Sequence, residues 1–225
     1  MVAKRFLAAL IVLMLTASAF AVDAYYGFRT GMGINMTRNA GDKADSANKA
    51  MDEAELKWKN GTSFDFAPFF VLQLANPFAL QTEMYFTNVG EGMVDKDGDG
   101  GYFTQRVILI PVLAKVTLMD RKLGIFAGPH FTPVAGRMVV VGKESGVVNK
   151  WGGQSVGLTF GADFGFNVGN GKLFLDARYL TQLGAEKTAK KDDKGFVTGW
   201  EDKPDVYSRY AKLAFSVGYE FGGGK

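Results

Sequence analysis

The chain has no cysteine, which excludes a disulfide framework, thiolate chemistry and any cysteine-ligated metal. Histidine occurs once, at His130, and neither a zinc motif nor a G-x-S-x-G nucleophile elbow is present. A basic stripe interleaved with aromatics is also missing, so no nucleic-acid partner is expected. Beyond the first twenty or so residues there is no long unbroken apolar run, and therefore no expected spanning helix. The formal charge of +3 comes from 26 basic and 23 acidic residues. Without Lys4 and Arg5 of the leader described next, 24 basic residues face 23 acidic ones and the surplus nearly vanishes.

The leader occupies the first 21 residues. Lys4 and Arg5 precede an apolar run from Phe6 to Leu15, and Ala19-Phe20-Ala21 ends it. A charged start, a short apolar core and an A-x-A site predict a cleaved signal peptide over 1–21, with the mature domain at 22–225. The apolar core is too short for a membrane-spanning helix.

What the chain does have is alternation. From Ser155 to Asn167 the even positions are Val156, Leu158, Phe160, Ala162, Phe164 and Phe166; the odd ones are Ser155, Gly157, Thr159, Gly161, Asp163, Gly165 and Asn167. A period of two is that of a β-strand. The bulky hydrocarbon lies on one face, and the other face is too small and polar to fill a soluble core. A tilted strand crosses a bilayer in about 9–11 residues, so this stretch is long enough. Apolar outside and polar inside is the pattern of a transmembrane barrel.

The pattern recurs over about Tyr25–Thr37, Thr62–Leu74, Phe78–Thr87, Tyr102–Leu118, Leu123–Val134, Leu173–Leu183 and Val206–Phe221. Strand two is expected to turn Phe64, Phe66, Phe70, Leu72 and Leu74 outward. Pro111 interrupts strand four, because it lacks an amide hydrogen for the ladder. Ala75-Asn76-Pro77, Met119 to Lys122 and Gly169-Asn170-Gly171 read as tight turns, the last with positive φ supplied by glycine and asparagine. Long polar loops cover Arg38–Gly61, Asn88–Gly101, Gly136–Gln154 and Gly184–Asp205, with a turn or two of helix conceivable within Asp45–Lys59. Long and short connections alternate. The fold class predicted is all-β, an eight-stranded antiparallel up-and-down transmembrane β-barrel with short periplasmic turns and long extracellular loops. Eight strands leave an interior that side chains nearly fill.

Parity sends charge inward at Arg29, Asp65, Glu83, Lys115, Asp163, Asp176, Arg178, Lys212 and Glu220, with His130 on the same face. These ten are the candidate lumen residues. Charges in a narrow lumen must pair or stay wet, so they form either an ion-pair plug or the lining of a small pore. Phe69, Val71, Leu109, Phe126 and Phe174 share the inner face and narrow it.

Asp95-Lys96-Asp97-Gly98-Asp99-Gly100 opens like a calcium loop, but the twelfth position is Arg106 where a glutamate is needed, and flanking helices are absent. It reads as an acidic flexible loop; no metal site and no cofactor are expected. His130-Phe131-Thr132 resembles the H-x-S pair of outer-membrane lipid A deacylases, with threonine in place of the serine nucleophile. A nucleophile needs a base and an orienting acid, and no acid is assigned, so His130 reads as a hydrogen-bonded wall residue. Trp58, Trp151 and Trp200 fall in long loops, as interface anchors or as loop packing.

Ile110-Pro111-Val112-Leu113-Ala114-Lys115, Phe126-Ala127-Gly128-Pro129, Leu175-Asp176-Ala177-Arg178-Tyr179 and Val217-Gly218-Tyr219-Glu220-Phe221 together resemble the small outer-membrane barrels grouped as OmpW-like or porin-family β-barrel proteins. The resemblance spans the mature chain. It implies a bacterial outer-membrane location, surrounding outer-membrane lipid, assembly by the barrel-insertion machinery and, in some members, a narrow channel for small or hydrophobic solutes. Members of that family usually end on the aromatic residue; here Gly222-Gly223-Gly224-Lys225 follows Phe221. The function expected is a non-enzymatic outer-membrane barrel, a narrow porin-like or OmpW-like channel. The alternative is a closed structural or adhesive barrel whose surface loops bind host or matrix molecules. A secreted carrier of lipocalin type would need the bulky face inside, with mostly glycine and charges on the opposite face.

Overall fold

The computed structural model describes residues 23–40, 49, 53, 55, 57–94, 100–140, 150–151, 155–183, 188–191, 197–201 and 207–222. Residues 1–22, and with them the expected signal peptide, lie outside the described residues, as do Asp95 to Asp99 of the calcium-like loop.

Twelve strands are described: β1 (Asp23–Ala40), β2 (Lys57–Ala75), β3 (Phe78–Glu83), β4 (Tyr85–Val94), β5 (Gly100–Leu118), β6 (Leu123–Val140), β7 (Lys150–Trp151), β8 (Ser155–Val168), β9 (Gly171–Gln182), β10 (Thr188–Lys191), β11 (Val197–Glu201) and β12 (Tyr207–Phe221). β3 and β4 are one stave broken at Met84, where the amide of Met84 donates to the carbonyl of Pro68 at 3.0 Å. Eight staves result, each antiparallel to its chain neighbours. β12 returns to β1, with Tyr26 opposite Phe221 and Ala40 opposite Tyr207, and so closes the barrel. Closure leaves no sheet edge, the condition for a strand assembly to sit in hydrocarbon. β7 adds a short pairing to β6, and β10–β11 form a separate hairpin.

The staves outrun the expected bounds. β1, β2, β5 and β6 have 18 or 19 residues each, more than the roughly 9–11 a tilted strand needs to cross. Much of what reads as polar loop is therefore strand: 88–94 joins β4, 136–140 joins β6, and the segment 184–205 carries the β10–β11 hairpin. Trp58, Trp151 and Trp200 lie in β2, β7 and β11 and not in loops. Of the conceivable helix, Lys49 and Glu53 are helical and ion-paired at 3.9 Å, whereas Lys57 to Lys59 are strand. Polarity misled here because a strand extended past the bilayer has water on both faces, and alternation stops marking it.

The faces divide as the parity argument requires. Outward Met32, Phe64 and Leu175 are each more than 60% exposed, whereas inward Arg29 and Lys212 are 1% exposed or less. Leu72 departs from expectation: its parity is outward, yet it is 2% exposed, next to the register shift between Gln73 and Ala75. Pro111 is accommodated opposite His130, and its carbonyl accepts from Thr82 Oγ1 at 3.1 Å. The β5–β6 ladder shifts register between Ile108 and Ile110.

The three short turns and the ends Asp23 and Phe221 share one end of the barrel, the turn end. Gly169 alone in its hairpin takes a positive φ, +60°; Asn170 does not. Met119, Asp120 and Arg121 all sit in the left-handed region, at φ of 54°, 53° and 66°.

Candidate functional site

Inward-facing positions on neighbouring staves meet along the barrel axis, and the charged ones sort into four clusters. At the centre are Arg29 of β1, Glu83 of β3, and Asp176 and Arg178 of β9. Arg178 grips Asp176 with two bonds, Nε to Oδ1 at 2.8 Å and Nη2 to Oδ2 at 2.6 Å. Its Nη1 crosses the lumen to Glu83 at 2.9 and 3.1 Å. β3 and β9 are four staves apart in a ring of eight, so this pair spans the diameter. Arg29 donates to the same Glu83 Oε2 at 2.6 Å and lies 3.5 Å from Asp176. Ser216 Oγ accepts from Arg29 at 3.1 Å and donates to Asp176 at 3.2 Å. Aromatic rings line the cations: Arg29 lies 4.6 Å from the centroid of Tyr85 and Arg178 4.9 Å from that of Phe126.

Toward the turn end, Asp163 of β8 is held between Lys115 of β5 at 2.6 Å and Lys172 of β9 at 2.8 Å. Gln81 joins this cluster to the central one. Its Oε1 accepts from Lys115 at 3.1 Å, and its Nε2 donates to Glu83 at 2.6 Å. Gly124 makes room here, since a Cβ would come within 2.5 Å of both the Asp163 carboxylate and Lys115. Toward the loop end, Lys212 bonds Asp65 and Thr87, and Thr87 donates to Asp65 at 2.6 Å. At the turn-end mouth Arg121 pairs with Glu220 at 2.5 Å and lies 3.3 Å from the ring centroid of Tyr25.

All ten candidate residues lie in the lumen at 6% exposure or less. Nine enter ion pairs. His130 stands apart, its Nδ1 2.9 Å from Thr159 Oγ1, and its ring fills space left open by Gly157. Thr132 accepts from Ser155 at 3.0 Å, so the two members of the H-x-T pair engage different hydroxyls. Among the described residues no group of three or more His, Asp or Glu side chains is placed to hold a metal ion.

Two participants escape the sequence reading. Lys172 has the parity of Asp176 and Arg178, and starting that strand one residue earlier would have found it. Arg121 belongs to a turn, where alternation carries no information. With Lys172 counted, five carboxylates and five cations occupy the strand positions, and Arg121 adds a sixth cation from outside them. Such mutual pairing is what a water-poor interior requires.

Apolar side chains fill part of the remaining volume. Phe69 and Phe174 meet across the lumen with centroids 5.7 Å apart, joined by Tyr25, Val71 and Ala79. Ala67, Tyr85, Val107, Leu109, Leu180 and Ala214 form a second cluster.

Residues 20–186, 167 of the 225, match the profile of the outer membrane protein beta-barrel domain. The chain belongs to that family. Its place is accordingly the bacterial outer membrane. Among curated proteins none matches in sequence. Among solved structures, the outer membrane protein OprG from Pseudomonas aeruginosa is similar at 8% identity, with 90% of this chain and 98% of that one covered and a TM-score of 0.47. The attachment invasion locus protein Ail of Yersinia pestis shares 11% identity, with 89% and 100% covered and a TM-score of 0.43. Neisserial surface protein A shares 11%, with 87% and 97% covered and a TM-score of 0.43. Within the outer membrane beta-barrel family, then, this chain is a closed eight-stave member with an interlocked lumen.

Proposed function

We propose that this is a closed, non-enzymatic outer-membrane barrel whose lumen is a structural post and whose work is done at the loop end, by binding a surface ligand. The observation that carries the reading is the Arg178–Glu83 pair across the lumen, tied to Arg29 and Asp176, with both arginines 1% exposed. A channel for small or hydrophobic solutes needs a continuous wet or apolar path, and this layer supports neither. The staves that run well past bilayer length favour a role outside the membrane, because they raise the loops above the lipid. On this reading the loop end is extracellular and the turn end periplasmic. The outer face contacts outer-membrane lipid, and insertion depends on the barrel-insertion machinery.

The absence of enzymatic activity is supported by His130 and Thr132, whose side chains engage Thr159 and Ser155. Reconstitution in planar bilayers tests the reading: the intact protein is expected to give no single-channel conductance, and Arg178→Ala to give openings. Steady conductance or solute-driven liposome swelling from the intact protein would replace it with the channel.

A further inference from the structure

The β5–β6 turn reaches across the turn-end mouth. It joins the fourth and fifth staves, and its Arg121 Nη2 bonds Glu220 Oε1 at 2.5 Å on β12, which is four staves from β5 in the ring of eight. The same guanidinium lies over the ring of Tyr25 on β1, the stave next to β12. One end of the turn is anchored, because the amide of Gly165 on β8 donates to the carbonyl of Lys122 at 2.8 Å. The other end borders a cavity of about 660 Å³, lined by Leu118 to Arg121, by Asn76 and Pro77 and by the start of β1, so it has room to move.

Three features make this closure reversible. Met119, Asp120 and Arg121 hold φ of 54°, 53° and 66°, a region that a residue with a Cβ enters at a cost, and a relaxed turn recovers that cost. Arg121 is also the surplus charge of the lumen, since the strand positions carry five carboxylates and five cations without it. Finally, Glu220 has a second cation at hand. Its cross-strand partner in the β12–β9 ladder is Lys172, and directly opposed residues have Cβ atoms about 4.5–5.5 Å apart on one face. Lys172 serves Asp163 at 2.8 Å, but Asp163 keeps Lys115 at 2.6 Å if Lys172 turns away.

From a strained turn latched by one expendable cation, with a replacement for it on the next stave, we infer that the β5–β6 turn is a two-state strap over the mouth. In the closed state Arg121 holds Glu220, and Lys172 helps Lys115 hold Asp163. In the open state Arg121 enters water, Lys172 takes Glu220 and Lys115 alone keeps Asp163. Every buried carboxylate therefore retains a cation in both states, which avoids the heavy cost of a stranded buried charge. The Arg121 side chain is 26% exposed against 8% for that of Lys172, so added salt weakens the closed state more than the open one. The strap works at the mouth alone, and its exchange is independent of whether the central layer conducts.

Double electron–electron resonance reads the strap directly, with nitroxides at Asp120→Cys on the turn and Asn170→Cys on the β8–β9 hairpin, both exposed positions in a chain that has no other cysteine. The labelled protein in lipid bilayers is expected to show two distances, the longer one arising as the turn swings off the mouth. The share of the longer one is expected to rise at least about twofold as salt goes from about 0.05 to 1 M. In the same labelled background Arg121→Ala is expected to leave only the longer distance. Lys172→Met, which removes the replacement cation, is expected to shift the population toward the shorter. A single distance that salt does not alter, an unchanged distribution in Arg121→Ala, or a longer component undiminished by Lys172→Met would overturn the strap. Heat-modifiable gel mobility checks the fold of each variant, and the salt series needs no variant beyond the labels.

Discussion

The central and turn-end-side ion-pair clusters do the same electrostatic work with different parts. In the centre two arginines reach carboxylates on different staves, and both are 1% exposed. Nearer the turn end two lysines share Asp163, at 6% and 7% exposure. A guanidinium offers five donors in a planar fork and suits groups held from several directions at once. An ammonium is a compact, strongly hydrated charge on a flexible stem, adequate where one carboxylate is the target and some water remains. Depth alone does not decide the choice, since Lys212 is fully buried against Asp65 and Thr87; the fork is used where several staves are joined at once.

Five substitutions break or sharpen that contrast. Arg178→Ala strands Glu83 and Asp176, and loss of one partner of a buried pair costs about 3–5 kcal/mol; urea unfolding in lipid vesicles is expected to show that loss. Asp163→Asn leaves two ammoniums facing each other but nearer water, and about 2–3 kcal/mol is expected in the same assay. Arg178→Lys keeps the charge but not the fork, and is expected to cost about 1–2 kcal/mol. Lys172→Arg should cost less than Arg178→Lys, and equal costs for the two exchanges would erase the distinction between the layers. Ser216→Ala removes one hydroxyl from the central layer and should cost about 1 kcal/mol.

Alternation made the staves legible because each must show hydrocarbon to lipid and something small or polar to the axis, so every inward charge on the candidate roll was readable from parity. Which charge meets which was not. Arg178 and Glu83 are 95 residues apart, and their meeting depends on stagger around a closed ring, a property of the whole sheet. Glu220 shows the other blind spot: its partner Arg121 comes from a turn of three left-handed residues, none of them glycine. The strand extensions 88–94 and 136–140 were hidden for a third reason. Beyond the lipid, neither face is selected for hydrocarbon.

Everything rests on which face meets the bilayer, and the lack of cysteine makes that question clean to ask. Single cysteines at Leu158, Phe160, Phe215 and Val217, labelled with a nitroxide in reconstituted bilayers, should collide freely with oxygen and hardly at all with a water-soluble nickel chelate. Strong collision with the chelate at these four positions would place them in water and contradict the barrel described.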